Sequence, residues 1–237
     1  MLRLCEIVAP LERLEFERGK PMYTDLEKQI ADVIRYCADI GLWAIDRPVS
    51  SCCFASSFCA TNCYNRKLYL GCYGSNMKAK DRRNESAWLA MRSNPEAAAK
   101  AMKTVLMAKR EKVKRFRFMT RGEALETRED IALIKSICEA MPKILFWLPT
   151  RSWRNAEMRR LVERELLPLS NLRIMASLDP TTQKGPDSWS TMFFGDDDAT
   201  SGRVLCSKTH KGIHGACATC RKGCFSSARV DVHMKQH

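Results

Sequence analysis

The sequence predicts an α/β fold built around a parallel sheet, in the form of a partial or complete (β/α) barrel. Segments with helical spacing alternate with short apolar segments typical of strands in the second half of the chain. Strands that alternate with helices along a chain usually lie parallel in one sheet. The 237 residues are 45% hydrophobic and 28% charged, which is typical of a globular domain. A doubly wound sheet is the alternative arrangement.

Residues 1–49 are predicted to form an N-terminal helical extension and residues 50–237 a single domain that carries a metal cluster. A helix is expected from about Met22 to Ile40, because apolar residues recur there at helical spacing. No apolar run approaches the roughly 20 residues of a membrane span, and the first residues lack the apolar core of a secretory signal. The sequence therefore predicts no membrane association and a cytoplasmic location.

Helix starts are the clearest local signals in the second half of the chain. Asn94 precedes Pro95, which is the order of a cap residue and a first helical residue. Thr127 and Asp130 have the spacing of a capping box. Asn155 can cap a third helix.

Five strands are predicted between and after these helices: Arg115–Thr120, Lys143–Pro149, Asn171–Ser177, Trp189–Phe194 and Arg203–Leu205. Polar residues follow their ends, and the carboxyl ends of parallel strands form one edge where active sites lie. Glu123 and Asp179 are therefore a candidate general acid/base pair. Arg151 is a candidate ligand for a phosphate or carboxylate. Salt bridges or helix caps are the alternative for all three.

Eight of the twelve cysteines fall in two groups. The terminal group comprises Cys206, Cys217, Cys220 and Cys224, and the front group comprises Cys52, Cys53, Cys59 and Cys63. Thiolates at such spacings are typical ligands of iron–sulfur clusters or zinc. Because disulfides are rare in a reducing cytoplasm, clustered cysteines there indicate metal ligands.

The spacing of the terminal group favours iron over zinc. The run Cys217-x2-Cys220-x3-Cys224 lacks the paired C-x2-C motifs of a zinc ribbon. His210 and His214 precede the thiols, unlike the order in a C2H2 zinc finger, and are expected to be loop residues in water. The prediction is one or two [4Fe–4S] clusters, with zinc as the alternative.

The remaining cysteines receive weaker assignments. Adjacent cysteines seldom ligate together, so Cys53 is expected to be a bystander to Cys52. Cys72 is a further candidate ligand. Three others are expected to be core or free thiols: Cys5, Cys37 and Cys138.

The formal net charge of +13 is concentrated in two basic segments, Lys78–Arg83 and Lys109–Arg117. A field of this sign favours a polyanion such as nucleic acid. Neither segment is interleaved with aromatic residues in a recognisable binding module, and solvated helix ends are the alternative. A basic nucleic-acid-binding protein with structural zinc or an iron–sulfur cluster is therefore an alternative function.

Five motifs occur in a characteristic order along the chain: Cys52-x6-Cys59-x3-Cys63-Tyr64, RFMTRGE at 117–123, FWLPTRS at 146–152, NLRIMASLD at 171–179 and the terminal cysteine run. Together they resemble one family, the cysteine-rich bacteriophage proteins described as gene product 88. The resemblance covers about Ser50 to Phe225. The order of the motifs along the chain, and no single motif, indicates the family. Cys53, Asn65 and Glu123 depart from the proline, alanine and aspartate of the family pattern.

The resemblance implies a viral origin, a βα-barrel-like fold related to radical enzymes, and iron–sulfur binding. On this reading the terminal group binds one [4Fe–4S] cluster. Cys52, Cys59 and Cys63 bind a second cluster with one open iron, or share in the first. An open iron suits an enzyme, whereas four thiolates suit a structural role or electron transfer with a redox partner.

A degenerate radical S-adenosylmethionine-like enzyme is a further alternative. Such an enzyme would place C-x3-C-x2-C after the first strand of a similar barrel. Here Cys59 and Cys63 supply the first spacing, but no third cysteine follows at the required offset.

Overall fold

The fold is an α/β arrangement around an eight-stranded sheet with the order β1-β2-β3-β4-β5-β6-β8-β7. The computed structural model describes residues 23–63, 74–109, 112–196 and 202–235. Among the described strands, only β1 runs antiparallel to its neighbour and the other pairs are parallel, which confirms the predicted fold class. The strands are β1 (Arg35–Cys37), β2 (Leu42–Ile45), β3 (Arg115–Phe118), β4 (Leu145–Thr150), β5 (Leu172–Leu178), β6 (Ser190–Gly195), β7 (Val204–Leu205) and β8 (Asp231–Lys235).

Three of the described helices begin where the cap residues Asn94, Thr127 and Asn155 predict. The described helices are α1 (Asp25–Val33), α2 (Ser57–Asn62), α3 (Gly74–Ser93), α4 (Pro95–Met107), α5 (Arg128–Ala140), α6 (Ala156–Glu165), α7 (Ser207–Lys211) and α8 (Ala216–Thr219). Asn94 accepts a hydrogen bond from the first turn of α4, and Asn155 accepts two from α6. Asp130 completes the predicted capping box with Thr127.

One face of the sheet is covered by the longer helices. Alternate strand residues such as Phe116, Phe118 and Phe146 pack there with buried residues of α1, α3, α4, α5 and α6. Side chains of the opposite face form a second, smaller core, and we call this side the loop face. Trp147, Met175 and Met192 lie in that core with Cys206, Cys217 and Cys224 packed against it. The longer helices thus share one face, while the short helix α8 lies on the loop face, and this arrangement is compatible with a partial barrel.

The sheet remains open between its edge strands β1 and β7 in the part of the chain that the structure describes. The segment that follows α7 reaches across to the β1–β2 turn. The backbone N–H of Gly215 donates to the carbonyl oxygen of Asp39 at 3.0 Å, and that of Cys217 donates to Ile40 at 3.1 Å. The terminal cysteines therefore lie on the loop face, anchored to the opposite end of the sheet.

Three strands differ from the sequence prediction. The helix expected from Met22 to Ile40 ends at Val33, and its last part is strand β1. The chain turns back at Gly41 into β2, so both strands precede residue 50 and yet belong to the common sheet. Strand β8 follows the terminal cysteines and inserts between β6 and β7.

Candidate metal centres

All four thiols of the terminal group line one half-open cavity of about 430 Å³. Cys206 is the residue between β7 and α7, Cys217 lies in α8, and Cys220 caps the end of α8. The apolar part of the lining comes from Phe225 and from β8. Spacing along the chain and the course of the backbone thus bring the four predicted ligands together. None of the four takes part in a disulfide.

A single arginine of β3 holds the cysteine-bearing turn of this cavity. Nη1 of Arg115 donates to the carbonyl oxygen of Cys217 at 2.7 Å and to that of Cys220 at 2.8 Å. Its guanidinium also lies over the ring of Phe225, with Cζ 4.8 Å from the ring centroid. Because these contacts fix the backbone at both ends of α8, they set the directions in which two of the thiols project.

Burial disfavours the thiolate form of two terminal cysteines, Cys217 and Cys224. It raises the pKa of Cys217 to about 11, against the opposing charge of Arg117. Burial also raises the pKa of Cys224, and the neighbouring thiols of Cys206 and Cys217 add to the increase. A metal that binds here has to displace protons, so its affinity rises with pH.

A pair of histidines lies beside Cys206. Nε2 of His210 is 2.7 Å from Nδ1 of His233, and Nε2 of His233 is 2.9 Å from the carbonyl oxygen of Asp196. The expectation that His210 is a loop residue in water is therefore wrong, because His233 on the unpredicted strand β8 partners it. Exposed His214 pairs with Asp39 at 3.0 Å.

Three cysteines of the front group line a second cavity, of about 270 Å³, at the carboxyl ends of the strands. Cys52 follows a short 3-10 turn at Val49–Ser51, Cys59 lies in α2, and Cys63 caps its end. Exposed Cys53 is not among the lining residues. The front and terminal groups occupy separate cavities.

Ser56 connects helix α2 to the end of β5 through two hydrogen bonds. Ser56 caps α2 by accepting a hydrogen bond from the backbone N–H of Cys59 at 3.0 Å. Its hydroxyl donates to Oδ2 of buried Asp179. The position of Cys59 is thus set by the strand end as well as by its own helix.

The three candidate catalytic residues meet beside the front cavity. Nη1 of Arg151 lies 2.7 Å from Oδ2 of Asp179. The backbone N–H of Arg151 donates to Oε2 of Glu123 at 2.8 Å, and the hydroxyl of Thr150 donates to Oε1 at 2.8 Å. Both carboxylates are therefore engaged by the protein, while Arg151 also hydrogen-bonds Cys59 and lines the cavity.

These carboxylates have opposite pKa shifts. Burial raises the pKa of Glu123, although hydrogen bonds from Arg151 and Thr150 oppose the increase. Burial also acts to raise the pKa of Asp179, but hydrogen bonds from Ser56 and Thr181 and the charge of Arg151 outweigh it and hold the pKa at about 2. Asp179 therefore carries its charge at neutral pH.

Sequence reasoning missed a group of buried charges at the end of β2. Asp46 accepts from Nη2 of Arg35 at 2.6 Å and from the backbone N–H of Thr120 at 2.7 Å. Buried Arg47 pairs with Glu85 at 2.5 Å and with Glu126 at 2.6 Å. The signal was available, since Asp46 and Arg47 directly follow the apolar segment LWAI. These pairs join α3 and the turn after β3 to the strand end that carries the front cysteines.

The other cysteines lie apart from both cavities or outside the described residues. Cys138 is buried in the core beneath the helices, and Cys37 packs against the loop-face core, as core thiols would. Cys5, Cys72 and the residue Asn65 are outside the described ranges.

Within those ranges, no three His, Cys, Asp or Glu side chains form a group that could hold a single metal ion. Zinc requires its thiolates about 2.3 Å from one point, whereas a [4Fe–4S] cluster takes each thiolate on a different iron.

No helix in the described part of the chain is long and apolar enough to cross a membrane.

Comparison with known proteins gives a family match. The sequence profile of the family described as Gene product 88 matches residues 24–223 of this chain, which is most of its length. The matched range contains both cysteine groups except for Cys224. No curated protein and no solved structure matched the chain significantly.

Proposed function

The chain belongs to the gene product 88 family, and we propose that it is an iron–sulfur protein whose terminal group binds a [4Fe–4S] cluster. The observation that carries the proposal is the shared cavity: Cys206, Cys217, Cys220 and Cys224 come from a strand end, a short helix and the following turn, yet line one space. Four thiolates are the ligand set of such a cluster.

The terminal cavity is large enough for a cluster. Its volume of about 430 Å³ corresponds to on the order of ten water molecules. The alternative of structural zinc remains an outcome of the test below.

The local charges also support an anionic group at the terminal cavity. The charge of Arg117 acts on both Cys217 and Cys224, and its guanidinium is held over the ring of Trp147 at 4.2 Å. A cluster bound by four thiolates carries net negative charge, which nearby arginines stabilise. Such a cluster, when bound, supplies one-electron redox chemistry, so a redox partner is part of the proposal.

For the front group we propose a second cluster bound by Cys52, Cys59 and Cys63, with one iron left open. The separate cavity favours this arrangement over sharing of a single cluster. Arg151 and Arg121 line the same cavity and would bind an anionic group of a substrate.

A radical S-adenosylmethionine-like reaction is the second candidate function, favoured by three thiols at the carboxyl ends of parallel strands. The proposed setting is the cytoplasm of a host cell infected by a phage.

The primary test is anaerobic purification followed by iron, sulfide and zinc analysis with an absorption spectrum. About eight iron and eight sulfide per chain are expected for two clusters, and about four of each for the terminal cluster alone. A colourless protein with stoichiometric zinc and no iron would overturn the iron–sulfur proposal.

Cysteine variants assign the metal to its cavity. Cys220→Ser should lose the terminal cluster and lower the melting temperature, whereas Cys53→Ser, at an exposed position outside both cavities, serves as the matched control. Titration of the anaerobic protein with S-adenosylmethionine tests the second candidate function, and an unchanged cluster spectrum would count against it.

A further inference from the structure

We propose that the β1–β2 hairpin carries a binding site for single-stranded nucleic acid, separate from both cysteine cavities. The site is a cavity of about 280 Å³ at the amino-terminal ends of β2 and β3. We call it the hairpin-edge cavity, and its lining includes Tyr36, Trp43, Lys112, Lys114 and Arg115.

The hairpin presents a pair of aromatic rings. Tyr36 lies directly opposite Trp43 across the two strands, with ring centroids 5.6 Å apart and an interplanar angle of 60°. Tyr36 is 48% exposed, which is unusual for a large aromatic side chain in a strand. An exposed ring held by a cross-strand partner is a platform on which a base can stack, and every base has a π-face that suits it.

Cations surround these rings. Lys112 and Lys114 are exposed, and no carboxylate is among the residues of this cavity's described lining. Nζ of Lys109 lies 4.8 Å from the ring centroid of Trp43. In the sequence this basic segment shows no aromatic pattern of a recognisable binding module, but the fold brings Tyr36 and Trp43 to it from the hairpin. Basic side chains that flank a stacking platform are the two parts of a single-strand binding site.

The combination favours a single strand over other polyanions. A duplex keeps its base faces inside the stack, so Tyr36 would have nothing to stack on. An acidic protein surface would pair with the lysines but would not require the exposed ring of Tyr36. The formal charge of +13 adds long-range attraction to any nucleic acid. DNA and RNA share the chemistry used here, a base face and a phosphate.

The test is fluorescence anisotropy with labelled oligonucleotides of about twelve residues and the whole protein at several salt concentrations. Oligodeoxythymidylate and oligouridylate distinguish DNA from RNA, and a duplex and a polyglutamate competitor provide the other ligand classes. Tyr36→Ala should weaken single-strand binding roughly tenfold. Lys112→Ala with Lys114→Ala should weaken it and reduce the slope of log affinity against log salt by about 1 to 2.

Matched variants keep the result interpretable. Tyr36→Leu retains apolar volume without a ring and should weaken binding as Tyr36→Ala does, even if the alanine variant folds poorly. Arg160→Ala removes an exposed cation from α6 and should leave binding unchanged. The proposal is overturned if Tyr36→Leu binds like the parent, if Arg160→Ala weakens binding as much as the lysine changes, or if the duplex or polyglutamate competes as well as the single strand.

Discussion

The guanidinium of Arg115 donates a hydrogen bond to the backbone carbonyl oxygen of Cys217 at 2.7 Å, although 102 positions separate the two residues in the chain. Nη1 also reaches the carbonyl oxygen of Cys220. One side chain of β3 therefore positions the turn that carries three of the four terminal thiols. Groups that orient metal ligands in this way contribute to metal affinity without touching the metal.

Replacement of Arg115 should loosen this turn. We expect Arg115→Ala to speed the loss of iron to a chelator roughly tenfold or more, measured as the decay of cluster absorbance under anaerobic conditions. Arg173→Ala is the matched control, because Arg173 lies on β5 and Nη1 donates to Ser170 instead. Equal rates of iron loss in the two variants would contradict the role assigned to Arg115.

The front cavity distinguishes two adjacent cysteines. Cys52 lines the cavity, whereas Cys53 is exposed outside it. We expect Cys52→Ser to lose about half of the bound iron, the share of one of two clusters, and Cys53→Ser to retain all of it. Iron and sulfide analysis of the two purified variants checks this, and the reverse pattern would assign the ligand to Cys53.

Gly122 is predicted to be intolerant of a side chain. Its φ of +79° disfavours any other residue, and an added Cβ would lie 2.6 Å from the carbonyl oxygen of Arg47. Gly212 has a similar φ of +65° but nothing within 4 Å of such a Cβ. Gly122→Ala should therefore lower the free energy of unfolding by about 1–3 kcal/mol more than Gly212→Ala, measured by urea denaturation. Equal losses would mean that only backbone strain matters.

Asp179 should make the free energy of unfolding depend on pH in the acidic range. Because its folded pKa of about 2 lies below the value of about 4 for an unfolded aspartate, its contribution is complete above about pH 4 and is lost as the pH falls toward 2. The size of this contribution is about 2 kcal/mol. Asp179→Asn should therefore lower the free energy of unfolding at neutral pH and flatten its fall between about pH 4 and pH 2.

The control for this pH dependence is Asp187→Asn, at a highly exposed carboxylate. That variant should keep the parent profile. If Asp179→Asn and the parent lost stability in parallel over the acid range, another group would be responsible.

The helices were predictable because their signals are local. Asn94, Thr127 and Asn155 act on N–H groups within three residues of themselves, so no knowledge of the fold is needed to place them. The parallel strands were predictable for a related reason, since buried segments such as Leu172–Leu178 are mostly apolar.

The missed strands depend on partners that are distant in the chain. The segment Asp231–Lys235 mixes polar and apolar residues and becomes β8 by pairing with β6 and β7 at once. Tyr36 continues an apparently helical pattern, but its pairing with Trp43 makes it part of a hairpin. Local pattern cannot reveal either pairing, because tertiary contacts override propensity there.

The candidate sites also combine features that local sequence predicts with features that depend on the fold. Spacing alone grouped the terminal cysteines, which share one cavity. Spacing could not show that the front group has its own cavity, nor that Arg115 and Arg117 approach the terminal thiols from β3. Those relationships arise from the alternation of side chains along a strand, which sends the arginines to the loop face and Phe116 to the helices.

The position of β8 in the sheet determines when, during synthesis of the chain, the terminal site can form. The two-residue strand β7 pairs only with β8 in the described part of the chain, and β8 is made after all four terminal cysteines. As the nascent chain leaves the ribosome, these thiols emerge before the strand that secures them. The loop-face wall of the terminal cavity is consequently complete only after β8 has entered the sheet between β6 and β7.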